Sequence, residues 1–322
     1  MTQRHGMIQT MVIHYTQRIS WPDLPAQLRE LIEAHLGSQV ITAHSQYGGF
    51  SPGSADRLLT ADGQKVFVKA TSHGLNGPGA ALHAREAEIA AMLPASMPVP
   101  KFLGRIRWDD WEALIFDQAP GGNPQLPWGA DQLHRVLDTL AQLADQQPAG
   151  ITSSLPALEE ELREEVNGFA RIMADEWIPA DPWVAQNLEE LHELAIEGIG
   201  ALAGDQLVHT DLRSDNILLG EDGEMLLVDW PWASRGAAWY DALTVLVEAR
   251  IFDPALDADA IAASHRIFAS ASSDALTGAL AGLAAYYVDA ARRPEVPGLP
   301  TLRSYHAKQA TACVGWLKAR LG

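Results

Sequence analysis

One segment carries more structural information than any other part of the chain: Leu207-Val208-His209-Thr210-Asp211-Leu212-Arg213-Ser214-Asp215-Asn216-Ile217-Leu218-Leu219. A second apolar run follows it and ends in Leu226-Leu227-Val228-Asp229-Trp230. Between the runs, Asp222-Gly223 is typical of a two-residue type I′ turn, which needs positive φ at both positions. The segment therefore predicts a β-hairpin that follows a polar loop.

The register of this hairpin decides which polar side chains meet. A turn centred on Asp222-Gly223 pairs Glu221 with Glu224 and places Asn216 opposite Asp229. Asp211 then lies just upstream in the preceding loop. Three hard oxygen donors that converge at a strand end suit Mg²⁺, which takes one or two carboxylates together with phosphate oxygens and water. The alternative is a buried polar loop in which Asp and Asn cap turns, and the full spacing favours the metal site over it.

This segment resembles the catalytic loop of the aminoglycoside phosphotransferase and choline kinase-like superfamily, which is related to protein kinases. Family members usually read H-G-D-L-H-x-x-N and then I-D-W or I-D-F. The chain departs from this pattern at Thr210, where glycine is usual, and at Arg213, where histidine is usual. We interpret the first change as sterically modest and expect the second to alter what lies beside the phosphate or substrate. The residues in register are His209, Asp211, Leu212, Asn216 and Val228-Asp229-Trp230.

The resemblance implies a role for each of these side chains. Asp211 would orient and deprotonate the acceptor hydroxyl, while Asn216 and Asp229 would hold Mg²⁺. We interpret His209 as a structural histidine that supports the loop. Asp241, in the later Gly236-Ala237-Ala238-Trp239-Tyr240-Asp241 element, is interpreted as a structural hydrogen-bond acceptor or helix cap.

Upstream of this segment the chain is rich in predicted strands. Helical spacing over Trp21–Leu36, with Gly37 as a stop signal, predicts a first helix. Two hairpins are predicted, turning at Asp62-Gly63 and Asp109-Asp110, with a helix from about Ala80 to Leu93 between them. Leu133, Val136, Leu137, Leu140 and Leu143 begin a mostly helical second half. The prediction is an α+β, two-lobed protein kinase-like fold, with a small antiparallel sheet and one main helix before a larger helical lobe.

The loop at residues 117–122 breaks the pattern and marks the expected boundary between lobes. We predict a nucleotide-binding lobe over residues 1–119, which includes the first helix, and a catalytic and substrate-binding lobe over residues 120–322. The acidic stretch Glu159–Glu165 is interpreted as a solvated helix face.

The nucleotide side is predicted from a lysine and a glutamate. Lys69 shares a strand face with Phe67, and an unpaired ammonium on a half-buried strand is costly. Glu86 falls on the apolar face of the next helix, at helical spacing with Leu82 and Ile89. A Lys69–Glu86 pair that positions the lysine against the α- and β-phosphates of ATP satisfies both residues.

Two further segments complete the predicted nucleotide site. Gly48, Gly49 and Gly53 would let the chain approach a phosphate, with Ser51 or Ser54 supplying donors. A common glycine-rich turn is the alternative, but the segment precedes the hairpin that carries Lys69. By the resemblance, Asp117-Gln118-Ala119 would bind adenine through backbone groups.

Composition excludes several classes of partner. The 322 residues carry a formal charge of −18, which disfavours nucleic acid and anionic membrane surfaces. The single cysteine, Cys313, argues for a reducing compartment. The N-terminus lacks the apolar core of a secretory signal, and the run from Ala275 to Val288 is too short to cross a bilayer. A cytoplasmic location is expected, and the sequence does not fix the oligomeric state.

The predicted function is an ATP- and Mg²⁺-dependent transfer of phosphate to a hydroxyl of a small molecule, such as an aminoglycoside, an amino sugar or a related alcohol. Only 11 residues separate Asp229 from Asp241, which leaves little room for the activation loop of a protein kinase. A P-loop kinase is disfavoured because G-x₄-G-K-[ST] is absent. The remaining alternative is an inactive nucleotide-binding regulatory or interaction module.

The acceptor itself is weakly encoded. An amine-bearing acceptor would need carboxylates, and those considered are Asp181, Glu159 and Glu165. Trp230, Trp232 and Trp239 follow the predicted metal ligand closely and offer an aromatic wall, although core packing is expected for at least two of them.

Overall fold

The computed structural model describes residues 18–46, 53–146, 150–220 and 223–322. Its N-terminal half contains a five-stranded antiparallel sheet in the order β1-β2-β3-β5-β4. The strands are β1 (Val40–Ser45), β2 (Ser54–Thr60), β3 (Lys65–Ser72), β4 (Phe102–Trp108) and β5 (Trp111–Asp117).

Both predicted hairpins of this sheet are confirmed. In the first, Thr60 N–H donates to the carbonyl of Gln64 at 3.0 Å, and Gly63 adopts a φ of +90°. Glycine tolerates this left-handed conformation at no steric cost, which is why the turn forms at Asp62-Gly63. The second hairpin joins β4 to β5 through Asp109 and Asp110.

The two helices of this half pack on opposite faces of the sheet. Helix α1 (Ala26–Leu36) buries Leu28 and Ile32 in one cluster with Val68 and Ile115. Helix α2 (His73–Met92) contributes Ala87 to another cluster with Leu114 and Phe116, which lie on the other face because strand side chains alternate.

The predicted ends of both helices need correction. The first predicted helix is a 3₁₀ turn over Trp21–Asp23 followed by α1, since the chain resumes helical structure only after Pro25. Gly37 ends α1 with a φ of +73°, as expected of a left-handed helix cap. Helix α2 starts earlier than predicted, and it is interrupted at Asn76, whose φ of −159° is not helical.

The second half is mostly helical. Its central helix α10 (Ser273–Arg292) packs against α11 (Leu302–Leu321) and α7 (Leu188–Gly198) and also contacts α5 (Gly168–Ala174). The helices are α3 (Ala130–Asp145), α4 (Leu158–Glu161), α5 (Gly168–Ala174), α6 (Pro182–Gln186), α7 (Leu188–Gly198), α8 (Trp239–Phe252), α9 (Ala258–Ser264), α10 (Ser273–Arg292) and α11 (Leu302–Leu321). Two small two-stranded sheets join them, formed by β6 (Gln206–Val208) with β9 (Ser234–Gly236) and by β7 (Ile217–Leu219) with β8 (Met225–Leu227).

The crossing of α7 and α10 depends on two glycines. A Cβ at Gly198 would lie 2.4 Å from the Cα of Gly278, so the helices approach closely only because neither residue has a side chain. The predicted α+β class is confirmed. The division at residue 119 stays a prediction, and Ile89 and Met97 from before it share the large core cluster with α3, α8 and α10. None of the helices in the described ranges combines the length and apolar character that spanning a bilayer requires.

Candidate active site

A buried carboxylate holds the loop that follows β6 in place through hydrogen bonds to its backbone. Asp241 accepts hydrogen bonds from the backbone N–H groups of His209 and Thr210, at 2.7 and 2.9 Å. The ring Nε2 of His209 lies 2.9 Å from the carbonyl oxygen of Val228, and burial lowers the pKa of this histidine. His209 and Asp241 thus have the supporting contacts that the sequence predicted for them.

The hairpin after this loop forms, but the predicted register is wrong by one residue. Leu219 pairs with Met225 and Ile217 with Leu227, while Gly220 N–H donates to the Glu224 carbonyl at 2.8 Å. Three residues therefore lie between the hydrogen-bonded Gly220 and Glu224, where a two-residue turn was predicted, and two of them, Glu221 and Asp222, lie outside the described residues.

Asn216 consequently faces Val228, whose N–H donates to the Asn216 carbonyl at 3.0 Å. A one-residue slip normally moves a side chain to the other face of a sheet. Asp229 has a φ of +69°, which breaks the strand alternation at this point. Asn216 and Asp229 therefore both line one cavity in spite of the altered register.

Asp211 lies at the start of this arrangement, beside Arg213. The guanidinium Nη1 of Arg213 donates to Oδ1 of Asp211, and its Nε donates to Oδ1 of Asp215 at 3.0 Å. Desolvation raises the pKa of Asp211 to about 6, and the cation of Arg213 acts in the opposite direction. The Asn216 side-chain N–H₂ donates to the Asp211 carbonyl at 2.8 Å, which ties the loop to the hairpin. The unusual arginine therefore contacts the predicted base itself.

Thr210 is more strained than the sequence indicated. Its φ is +73°, in the left-handed region that β-branched residues strongly disfavour. Its hydroxyl Oγ1 is buried without a hydrogen-bond partner. The interpretation of a sterically modest change at this position is wrong, because the loop needs the conformation that glycine adopts freely.

Lys69, in β3, forms ion pairs with two carboxylates. Its Nζ lies 2.8 Å from Oε1 of Glu86 and 2.5 Å from Oδ1 of Asp229. Burial lowers the pKa of Lys69, but the charges of Asp229 and Glu86 outweigh it and leave that pKa raised. Burial raises the pKa of Glu86, and for Asp229 the lysine overcomes burial and brings the pKa to about 2. The predicted Lys69–Glu86 pair is present, and Lys69 also contacts Asp229, a predicted metal ligand.

These groups surround a cavity of about 230 Å³ between the sheet and the β7–β8 hairpin. Asn216 lines this cavity. So do the five other predicted nucleotide and metal residues outside the glycine-rich loop, which are Lys69, Glu86, Asp117, Ala119 and Asp229. The apolar part of its wall suits a purine ring and includes Phe67, Ala90, Leu93, Val99, Phe116 and Leu218. Asp211 is not among the residues that line this cavity.

The structure describes only the last part of the glycine-rich segment. Gly48, Gly49 and Ser51 lie outside the described residues. Gly53 does not line the cavity, but its neighbour Ser54 does. A Cβ at Gly53 would lie 2.6 Å from the carbonyl oxygen of Ala70, so this position needs glycine for a close approach between β2 and β3.

Sequence reasoning missed several side chains of the cavity. Asn123 donates from its side-chain nitrogen to the carbonyls of Asp215 at 2.9 Å and Ile217 at 3.0 Å, which orders the start of β7. In the sequence, the preceding Gly121-Gly122 pair indicated only a boundary between the lobes. In the structure, Gly122 also exchanges backbone hydrogen bonds with Leu219. Arg18 and His83 line the cavity too, and no motif marks either of them.

The donor set fits Mg²⁺. Across the ranges that the structure describes, no group of three or more His, Cys, Asp or Glu side chains is placed to hold a metal ion. Mg²⁺ does not need one, because it typically binds one or two carboxylates together with substrate phosphates. Asn216 and Asp229 supply one amide oxygen and one carboxylate at the same cavity. Their assignment as metal ligands stays a prediction.

A second, smaller cavity of about 60 Å³ lies in the helical half. Its wall is mainly apolar and includes Tyr240, Tyr286 and one acid, Glu165, whose Oε2 is buried without a hydrogen-bond partner. Burial raises the pKa of Tyr286, and the carboxylates of Asp211 and Glu165 raise it further. The charge of Asp211 therefore acts on a side chain in the wall of this cavity. The solvated face predicted for the acidic stretch is wrong for Glu165, because packing against α10 covers it.

The other acceptor residues considered from sequence behave differently. Asp181 accepts the N-terminal N–H groups of α6 and forms an ion pair with Lys318 at 2.7 Å, so its carboxylate is already used. Oε2 of Glu159 is buried without a partner. Trp230 and Trp239 are buried, whereas Trp232 is 40% exposed, which confirms that two of the three tryptophans belong to the core.

The cavity thus combines a lysine that bridges two acids with the hairpin that carries Asn216 and Asp229. The model of the phosphotransferase enzyme family (APH) matches residues 53–276. The match covers well over half of the chain, and the chain belongs to this family. Among curated proteins, none matches the sequence.

Solved structures confirm the kinase-like fold. A thermostable mutant of the aminoglycoside phosphotransferase APH(4)-Ia, in ternary complex with ADP and hygromycin B, is 15% identical with a TM-score of 0.59, over 92% of this chain and 98% of that one. Spectinomycin phosphotransferase APH(9)-Ia, in complex with ADP and spectinomycin, is 14% identical with a TM-score of 0.57, over 91% and 98%. An aminoglycoside phosphotransferase from Alicyclobacillus acidocaldarius is 15% identical with a TM-score of 0.56, over 88% and 92%. At these identities the likeness concerns the fold.

Proposed function

We propose that this chain is an ATP- and Mg²⁺-dependent kinase that phosphorylates a hydroxyl group of a small molecule. The observation that carries the proposal is Lys69, which contacts Glu86 at 2.8 Å and Asp229 at 2.5 Å in the cavity that Asn216 also lines. Phosphoryl transfer depends on positioning and on charge stabilisation of the transferred group, and these residues are of the types that provide both. Nucleotides in the similar structures support the same assignment.

Each residue has a distinct task in this mechanism. Lys69, oriented by Glu86, places the α- and β-phosphates, and the backbone near Asp117 and Ala119 binds the adenine. Asp211 accepts the proton of the acceptor hydroxyl as the hydroxyl oxygen bonds to the γ-phosphorus, while the bond from that phosphorus to the β–γ bridging oxygen breaks and ADP leaves. Asn216 and Asp229 hold Mg²⁺, which when bound offsets the negative charge of the phosphates. Residues 1–119 form the nucleotide-binding lobe and residues 120–322 the catalytic lobe, and the enzyme works in the cytoplasm, where ATP is present.

The acceptor belongs to the aminoglycosides, amino sugars or related alcohols. Glu165 supports an amine on it, because Glu165 lines the small cavity, its Oε2 is buried without a hydrogen-bond partner, and the charge of Asp211 acts on Tyr286 in the same wall. A buried carboxylate oxygen gains most from a charged donor such as an ammonium group. Several other acids of the helical half already pair with arginines, among them Asp289 with Arg171 at 2.7 Å.

One observation favours the second candidate function, an inactive nucleotide-binding module. The ion pair with Arg213 occupies Oδ1 of Asp211, and an acceptor hydroxyl would have to use the other oxygen or displace the arginine. A module that binds nucleotide without turnover would keep the Lys69–Glu86 pair and lose only the base.

The test is a coupled ADP-release screen over aminoglycosides, amino sugars, macrolides, choline and amino alcohols, with Mg-ATP. The Asp211→Asn variant is the blank, since it keeps the shape of the base but removes its basicity. Turnover by the wild type, absent from Asp211→Asn although calorimetry shows unchanged ATP affinity, supports the kinase. ATP binding without turnover on any acceptor supports the inactive module. Equal turnover by both proteins removes Asp211 from the mechanism.

Glu165 provides a separate test of the acceptor class. Glu165→Gln should raise the KM of an amine-bearing acceptor by about tenfold and leave the KM of ATP unchanged, because a charge-assisted hydrogen bond contributes about 1.5–3 kcal/mol. Glu160→Gln is the matched control, since Glu160 is exposed and pairs with Arg163 on the surface. Equal KM values for the two variants contradict the role of Glu165.

A further inference from the structure

The chain before α1 is attached to the end of the glycine-rich loop. Arg18 and Gly53 form a parallel β-bridge, and Ile19 N–H donates to the Gly53 carbonyl at 3.2 Å. Trp21 continues the attachment, because its N–H donates to Oδ1 of the buried Asp56 at 3.3 Å. An N-terminal segment is thereby held against the strand that leads into the nucleotide cavity.

This attachment carries the side chain of Arg18 into the cavity. Arg18 lines it together with Lys69, Asp215 and Asp229. Burial lowers the pKa of Arg18, while the carboxylates of Asp229, Asp56 and Asp215 act in the opposite direction. An arginine stays charged in proteins, so a partly desolvated guanidinium gains from any anion that enters the same space.

Two other cations line the cavity beside Arg18. Among the described residues of its wall, the permanent cations are Arg18, Arg57 and Lys69. Lys69 is held between Glu86 and Asp229. Arg57 donates from Nη2 to the Gly121 carbonyl at 3.4 Å, and this contact is exposed to solvent. A triphosphate carries several negative charges, and one lysine offsets only part of them.

We propose that Arg18 is a nucleotide-binding residue that contacts the phosphate groups of ATP. The inference rests on the proposed function, since it takes ATP as the ligand of this cavity. The planar guanidinium matches two phosphate oxygens at once, which a point charge such as Lys69 does not. Arg18 lies before residue 53, where the match to the family model begins, so this contact comes from a segment outside the matched part of the chain.

A purely structural role would have a different signature. If Arg18 only balanced the charge of Asp56, its removal would weaken the folded N-terminal segment and affect every nucleotide alike. A phosphate contact instead changes affinity in proportion to the phosphates present. Comparison of ATP, ADP, AMP and adenosine separates the two roles.

The experiment measures the affinity of these four ligands by calorimetry in the presence of Mg²⁺, for the wild type, Arg18→Gln and Arg18→Lys. Arg18→Gln should bind ATP about tenfold or more weakly, as expected for the loss of a charge-assisted hydrogen bond, and bind adenosine as the wild type does. Arg18→Lys should fall between them. Arg29→Gln is the control, because Arg29 lies in α1 and donates to the Leu24 carbonyl at 3.3 Å.

Three results would overturn the inference: unchanged ATP affinity in Arg18→Gln, an equal loss for ATP and adenosine, or tighter ATP binding. Thermal unfolding verifies that each variant is folded, and if Arg18→Gln fails this check, the ratio of ATP to adenosine affinity in Arg18→Lys decides. No ATP binding by the wild type would contradict the proposed function itself and the inference with it. ATP binding by the wild type with an unaffected Arg18→Gln would contradict the inference alone.

Discussion

Arg213 donates a hydrogen bond from Nη1 to Oδ1 of Asp211, so the predicted catalytic base is held in an ion pair by a side chain two positions away. The same guanidinium contacts Asp215 through Nε at 3.0 Å and Nη2 at 3.2 Å. The family pattern has histidine at this position, and a histidine cannot present this fork of donors to two carboxylates. Arg213 therefore fixes the direction of Asp211 in the cleft.

Replacement of Arg213 should destabilise the fold. Arg213→Met leaves the partly buried Asp211 and Asp215 without their cation, and we expect the free energy of unfolding in urea to fall by about 1–3 kcal/mol. The control is Arg235→Met, which breaks an ion pair of 3.2 Å to Asp205, a side chain that is 88% exposed. Exposed pairs contribute about 0–1 kcal/mol, so equal losses in the two variants would contradict the structural importance of Arg213.

Replacement of Thr210 by glycine should stabilise the protein. The change relieves the left-handed backbone of a β-branched residue and removes a buried hydroxyl without a partner. A gain of about 1 kcal/mol in the free energy of unfolding is expected after the entropic cost of glycine is subtracted. Thr210→Ala keeps a Cβ and should gain less. A loss of stability in Thr210→Gly would show that the backbone strain is not significant.

Lys69 and Glu86 should be energetically coupled. Lys69→Met alone leaves the buried Glu86 carboxylate without its cation, and Glu86→Gln alone leaves Lys69 with one acid fewer. In a double-mutant cycle measured by urea unfolding, the double variant should lose less stability than the sum of the single variants, by about 1–3 kcal/mol. Additive losses would show that the two side chains do not support each other.

His306 should make the stability depend on pH. The side chain is buried against Tyr286, with ring centroids 5.6 Å apart, and its Nδ1 has no hydrogen-bond partner. Burial, together with the charges of Arg303 and Arg213, lowers the pKa of His306 to about 4. The unfolded state therefore binds more protons than the folded state between about pH 6.5 and pH 4.

The contribution of neutral His306 is complete above about pH 6.5 and is lost as the pH falls towards 4, by at most about 1.4 kcal/mol per pH unit. His306→Gln should flatten the dependence of the unfolding free energy on pH in this range. His134→Gln, a change at an exposed histidine, should leave the slope as it is in the wild type. Identical slopes for all three proteins would exclude His306 as the source.

Local signals in the sequence were sufficient for much of the fold. The hairpins at Asp62-Gly63 and Asp109-Asp110 follow from turn chemistry and alternating residues, which depend only on near neighbours. The facing positions of Lys69 and Glu86 follow from strand and helix periods, together with the high cost of burying either charge alone. The spacing from His209 to Asp229 similarly predicted which side chains would be close to one another.

Other features were decided by contacts between distant segments. Three residues lie between the hydrogen-bonded Gly220 and Glu224, where the sequence predicted a two-residue turn, and the left-handed Asp229 compensates for the resulting shift, which no local pattern indicated. The burial of Glu165 depends on α10, more than a hundred residues later in the chain.

Arg18 and Arg213 show the physical reason for this division. The type of a side chain and its spacing fix what it can bind, and these are properties of the sequence. Which partner it meets depends on the approach of remote backbone, as when Gly53 anchors the N-terminal segment so that Arg18 enters the cavity. Sequence determined the chemistry that is present, and tertiary packing determined which charges face each other, because electrostatic and hydrogen-bond energies depend on distances that only the folded chain sets.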